Sequence, residues 1–156
     1  MKRTQKFGWK PDLPDHRDFI YKAVKTTLPS SVDLRAHCPT VYDQGNLGSC
    51  TANAIAAAIE FDFIKQKHLD FLPSRLFIYY NERVLEGTVR YDAGAEIRDG
   101  IKTVAKQGVC DEKIWPYNTV RFAVKPLPKC YTAALKDVVT KYERLTDMAS
   151  YKRSEE

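Results

Sequence analysis

Cys50 stands directly after the turn Gln44-Gly45-Asn46-Leu47-Gly48-Ser49 and directly before an alanine-rich stretch that reads as a helix. A cysteine by itself is ordinarily a small buried hydrophobe. At the first position of a helix, however, its sulfur meets the positive end of the helix dipole and backbone N–H groups that have no intrahelical partner. Both favour the thiolate, and a thiolate is a nucleophile for acyl transfer. Gln44 lies six residues earlier on the same loop, and Gly45 and Gly48 permit a tight return. Its amide and the Cys50 backbone N–H can then converge beside the sulfur, as two donors of an oxyanion hole. An isolated loop glutamine would be a solvated residue; the spacing to Gly45 and Cys50 is what singles this one out.

The elements that must hold these residues are mostly helical. The first helix spans about residues 50–67, with Ser49 as N-cap and Ile55, Ile59 and Phe63 as a buried stripe at four-residue spacing. Alanines at 52, 54, 56, 57 and 58 allow close approach from several sides, which marks it as the central helix. A second begins after Pro73-Ser74, runs through Leu76, Tyr79, Tyr80 and Val84, and stops at Gly87. A third covers about residues 95–107, with Ile97, Ile101, Val104 and Ala105 inward and Gly108 as its stop. Residues 120–128 read as a loop, and 130–145 as a helix or a helix followed by a strand. Residues 1–28 are polar and proline-dotted, an extended arm whose Trp9, Phe19, Ile20 and Tyr21 can lie against the body. The chain thus divides into an arm (1–28), one folded lobe (29–145) and a polar tail (146–156) expected to be disordered.

Bulk properties narrow the function classes. With 156 residues and 44% hydrophobic content, one ordinary core is expected. The net charge of +5 comes from 25 basic residues dispersed along the chain. Without a basic run or a paired Cys/His zinc spacing, no nucleic-acid partner is expected. The longest apolar run, residues 54–59, is far too short to span a bilayer. No apolar segment follows the basic residues at 1–6, so a cytoplasmic protein with no membrane partner is expected. Cys38, Cys50, Cys110 and Cys130 are then expected to be reduced.

Asp33-Leu34-Arg35, followed by Tyr42-Asp43-Gln44-Gly45-Asn46-Leu47-Gly48-Ser49-Cys50, resembles the signature of the papain-like cysteine peptidases. In that family an Asp-x-Arg segment leads into a Gln-Gly-x-x-Gly-Ser-Cys loop. The resemblance continues through Leu76-Phe77-Ile78-Tyr79-Tyr80, Gly94, Gln107-Gly108-Val109-Cys110 and Trp115-Pro116-Tyr117, to about Leu145. The opening Gly8-Trp9-Lys10-Pro11-Asp12-Leu13-Pro14-Asp15-His16-Arg17-Asp18 is similar to the short N-terminal segment of bacterial and archaeal members. The resemblance implies Cys50 as nucleophile and Gln44 as oxyanion donor. It also implies Gly94 as the glycine whose backbone pairs with an extended peptide or protein substrate, with no metal and no cofactor. Ala95 stands where a second glycine is common, and Gly94 also reads simply as a turn before the third helix.

Some positions depart from the pattern. Leu47 replaces a disulfide cysteine of many secreted relatives, and Thr51 replaces the tryptophan that often follows the nucleophile. A thiol peptidase also needs a histidine base oriented by Asn or Asp. In this family these lie about 130–150 residues after the cysteine, beyond Glu156. His16 is in the arm, His37 belongs to the entry loop, and His68 ends the helix that Cys50 starts, roughly 27 Å away at 1.5 Å per residue. The implied fold class is therefore mainly α within an α+β family: the helical left lobe of the papain-like fold, without its β-rich right lobe. The expected function is peptide-bond hydrolysis through a Cys50 acyl-enzyme, in a truncated form inactive without a His-bearing second lobe as partner. The alternative is a non-catalytic module that binds peptides or proteins.

Overall fold

The computed structural model describes residues 7–22, 27–67 and 71–154. Three helices make the body: α1 (Cys50–Lys65), α2 (Arg75–Leu85) and α3 (Ile97–Gln107). Two two-residue strands, β1 (Trp9–Lys10) and β2 (Ala95–Glu96), pair in parallel with Trp9 opposite Ala95 and Lys10 opposite Glu96. Two short helices follow, α4 (Pro128–Ala134) and α5 (Met148–Ser154). The mainly helical fold class read from the sequence is the observed one.

The central helix is α2, not α1. Eight of the eleven residues of α2 are buried, Leu76 to Arg83 without a break. In α1 burial is concentrated at the start, on Thr51, Ala52, Asn53, Ile55 and Ala56. Asn81 and Arg83, enclosed on α2, are supplied with partners. Asn81 donates to the Phe77 carbonyl at 2.8 Å and accepts from the Tyr131 hydroxyl at 3.1 Å. Arg83, fully buried, donates to the carbonyls of Tyr79, Val89, Tyr91 and Phe122 at 2.5–3.0 Å, and its guanidinium lies 3.9 Å from the centre of the Tyr79 ring. It therefore gathers the loop that leads to Gly94 around the end of α2. Ser74 caps α2 as its position implies, accepting from the Phe77 N–H at 3.2 Å.

The core runs from Leu47 and Ala52 through Leu76, Phe77 and Tyr79 to Val104, Val109 and Trp115. Each large apolar side chain buried this way contributes roughly 1.5–3 kcal/mol relative to exposure. α3 starts at Ile97, two residues later than expected, because Ala95 and Glu96 are drawn into the strand pair. Gly108 ends α3 with φ 74°, and a Cβ there would lie 1.8 Å from the Ala134 carbonyl oxygen, so the chain turns directly against the end of α4.

The arm is held by backbone and ions more than by its apolar points. Trp9, Phe19 and Ile20 remain 56%, 66% and 43% exposed. Instead the Ala95 N–H donates to the Gly8 carbonyl, the Tyr21 N–H donates to the Arg144 carbonyl, and the Arg144 N–H donates to the Phe19 carbonyl. The Asp18 carboxylate accepts from Arg98 at 2.7 Å and Arg144 at 2.8 Å. The tail expected to be disordered is helical over Met148–Ser154. Asp147 starts it by accepting from the Ser150 N–H at 2.7 Å, a local cap that a polar composition hides.

Candidate active site

Cys50 is the first residue of α1, a free and half-buried thiol. The loop before it is shaped by two glycines. Gly45 has φ 62°, and its N–H donates to the Asp43 carboxylate at 2.8 Å, which closes a tight turn. Gly48 is buried, and its N–H donates to both Asp92 oxygens at 3.0 and 3.2 Å. Asp92 also accepts a short hydrogen bond from the Tyr79 hydroxyl. Burial and that carboxylate together push the Tyr79 phenol well above its ordinary range. The loop is thereby anchored to α2 and to the segment carrying Gly94.

Gln44 is half-buried and its amide turns back onto its own loop, donating to the Leu47 carbonyl at 3.0 Å. Ser49 departs from the sequence expectation. Its backbone, at φ −99° and ψ 28°, is outside the extended region typical of an N-cap, and its side chain caps nothing. Its Oγ lies 2.6 Å from the Tyr117 hydroxyl and accepts from Asn53 Nδ2 at 3.1 Å. The same tyrosine hydroxyl donates to the Gln44 carbonyl at 3.1 Å.

A layer of charge backs this network. Arg75 donates to both Glu112 oxygens at 2.8 and 3.0 Å, and its guanidinium lies 4.0 Å from the Tyr117 ring and 4.6 Å from the Tyr42 ring. Tyr42 in turn bonds to Glu60 of α1. The residue after Cys50 is tied down as well, since Thr51 Oγ1 donates to Glu82 Oε1 at 2.7 Å in the interior. The sequence reading passed over Asp92, Arg75, Thr51 and Glu82 as positioning groups, and gave Tyr117 no role beyond its motif.

Gly94 has φ 69°, and its N–H donates to the Tyr79 hydroxyl at 3.3 Å. A Cβ on Gly94 would lie 1.7 Å from the Gly8 carbonyl oxygen, and one on Gly8 would lie 1.9 Å from the Gly48 carbonyl oxygen. Gly8 is thus inserted between the loop before Cys50 and Gly94. The chain that β2 pairs with is the protein's own arm.

The histidines are not gathered here. His16 is exposed on the arm. His37 is exposed and packs edge-on against Phe61 at 6.2 Å, eleven residues along α1 from Cys50 and hence roughly 16 Å away. His68 lies outside the described residues. Among the described residues no group of three or more His, Cys, Asp or Glu is arranged to hold a metal ion, and no helix is long and apolar enough to cross a membrane.

No family model matches the sequence. The uncharacterised peptidase C1-like protein L477 of Acanthamoeba polyphaga mimivirus is 44% identical over 91% of this chain and 52% of its own length. The crystal structure of xylellain, a cysteine protease from Xylella fastidiosa, superposes with a TM-score of 0.88 at 46% identity, over 98% of this chain and 64% of that one. A structure from work on the mite allergens Blo t 1 and Der p 1 shares the fold, with a TM-score of 0.54 at 22% identity over 65% of this chain and 36% of that one. The chain therefore spans about half to two thirds of the length of these first two relatives. In sequence and in fold it is similar to papain-like cysteine peptidases over most of its own length.

Proposed function

We propose that this chain is the nucleophile-bearing lobe of a cysteine peptidase. Cys50 Sγ attacks a peptide carbonyl, and the Gln44 amide with the Cys50 N–H receives the oxyanion. Collapse of that intermediate expels the amine and leaves a thioester on Cys50, which water hydrolyses. One observation carries the reading: a half-buried free thiol opens α1 at the end of a loop onto which the Gln44 amide is folded. The base that takes the thiol proton and protonates the leaving amine belongs to a His-bearing second lobe, and this chain by itself is inactive. The substrate is an extended peptide or protein segment that takes the place of β1 beside Gly94. Likeness to a bacterial enzyme across nearly the whole chain, arm included, supports membership of the bacterial and archaeal branch.

A second reading, a non-catalytic peptide-binding module, is favoured by one observation. The Ala95 backbone already holds an extended segment through a 2.9 Å hydrogen bond. The two readings separate in one assay, hydrolysis of a fluorogenic peptide by the chain alone and with a His-bearing papain-like lobe added. Cleavage only by the pair, and none with Cys50→Ala, is the expected result. Equal cleavage by Cys50→Ala would sink the proposed mechanism.

A further inference from the structure

A serine immediately before a helix ordinarily accepts a hydrogen bond from an N–H of the first turn. Ser49 does not, although it is completely buried and has no water to compete for it. Donor counting gives the direction of the bonds that replace the cap. The Tyr117 hydroxyl has one hydrogen, and it goes to the Gln44 carbonyl. At the 2.6 Å contact Ser49 must then be the donor and Tyr117 the acceptor. Asn53 Nδ2 donates to Ser49 Oγ at 3.1 Å and to the Ser49 carbonyl at 2.8 Å. The chain of bonds runs from Asn53 through Ser49 and Tyr117 to Gln44. Arg75, stacked on the Tyr117 ring and clamped by Glu112, keeps that ring in place.

We propose that Tyr117 is a positioning residue that withholds the Ser49 cap from α1, so that the first-turn N–H groups face the Cys50 sulfur without a competing hydroxyl. The same hydroxyl ties together the two ends of the loop between Gln44 and Cys50. An N-cap at Ser49 would place an acceptor oxygen against those same first-turn N–H groups and compete with the sulfur for them. Stability is given up at the helix end to keep those donors available for the sulfur. The inference rests on reading Cys50 as the nucleophile, but its test needs no peptide hydrolysis, so the two fail separately.

The test is the iodoacetamide alkylation rate of Cys50 in the full chain at neutral pH, resolved by peptide mass spectrometry, with exposed Cys38 as internal reference. Tyr117→Phe keeps the ring over Arg75 and frees the Ser49 hydroxyl. The Cys50 rate is expected to fall about fivefold, the equivalent of one capping hydrogen bond. Ser49→Ala alone should stay within about twofold of the parent, and Tyr117→Phe with Ser49→Ala should return to that level. Asn53→Ala frees Ser49 from its other side; it should slow Cys50 in the same way, with the same rescue, and serves if Tyr117→Phe does not fold. An unchanged rate in both single variants, or a loss that Ser49→Ala does not reverse, overturns the proposal.

Discussion

The carbonyl oxygen of Gly8 accepts a hydrogen bond from the Ala95 N–H at 2.9 Å, and that contact holds Gly8 in the gap between Gly48 and Gly94. Neither Gly8 nor Gly94 has room for a methyl group. On the proposed function, an extended substrate that pairs at this edge must first displace β1, so the docking of the arm and access to the edge would be one equilibrium.

Gly8→Ala should shift that equilibrium. Its Cβ would stand 1.9 Å from the Gly48 carbonyl oxygen and 2.8 Å from the Gly94 Cα, both backbone, so the arm must lift. Overpacking of this kind costs about 1–3 kcal/mol, which corresponds to roughly 5- to 150-fold more opening. Limited proteolysis should cut residues 7–22 faster by that factor while the helical body keeps its melting temperature. An unchanged cleavage rate would show that the arm does not seal the edge.

Asp18 is the ionic latch of the same arm. Its hydrogen bonds from Arg144 and Arg98 hold its carboxyl below the ordinary aspartate value of 3.8. A carboxyl depressed in the folded state stabilises docking above the ordinary value, and that contribution is lost as pH falls through the lowered one. Arm docking should therefore be flat with pH near neutrality and weaken only in acid. Asp18→Asn should loosen it near neutrality and reduce the acid dependence. Hydrogen exchange at the Tyr21 and Arg144 amides, which close the bridge beside Asp18, reports both effects.

Arg75 bridges the loop and α2. Its side chain and that of Glu112 are only 11% and 13% exposed. Arg75→Met would leave the Glu112 carboxylate without its partner and remove the stack on Tyr42 and Tyr117. A cost of about 2–4 kcal/mol is expected, somewhat below that of a fully buried pair because both groups still touch solvent. Arg75→Met with Glu112→Gln should recover about half of it, measured by urea denaturation. A loss of stability equal in the single and double variants would place the effect outside the Glu112 pair, in the ring stack and the bonds to Asn53 and the Asp43 carbonyl.

What the sequence disclosed followed the motifs. The loop from Gln44 to Ser49, the helix starts at Cys50 and Arg75, and the stop at Gly108 are local signals, set by residues within a turn of one another. Three features were not legible. Asn81, Glu82 and Arg83 look like the solvent face of α2, yet partners from distant parts of the chain enclose them, so α1 was mistaken for the central helix. Ser49 has the chemistry of an N-cap, but a tyrosine 68 residues away takes its hydroxyl. The pairing of β1 with β2 joins segments 86 residues apart through backbone alone, and no side-chain pattern announces it.

Glu82 offers the sharpest test of how the interior is wired. Its side chain is fully buried, Oε1 accepts from Thr51, and Oε2 has no hydrogen-bond partner among the described residues and faces Ile55 and Gly100. Burial pushes its carboxyl up to about 8; the Thr51 hydrogen bond and Arg83 oppose the rise, while Glu86 and Asp99 add to it. An acid raised in the folded state binds a proton that the unfolded chain has released. Folding stability should then fall as pH rises from about 4.5 to about 8 and level off above. The slope from this group approaches roughly 1.4 kcal/mol per pH unit. Glu82→Gln keeps the shape and an acceptor for Thr51 but cannot ionise. Urea melts between pH 5 and 9 should show the parent losing stability relative to Glu82→Gln by several kcal/mol in order of magnitude. Parallel stability profiles for the two proteins would mean that Glu82 is ionised in the native core and that its charge is met by groups other than Thr51.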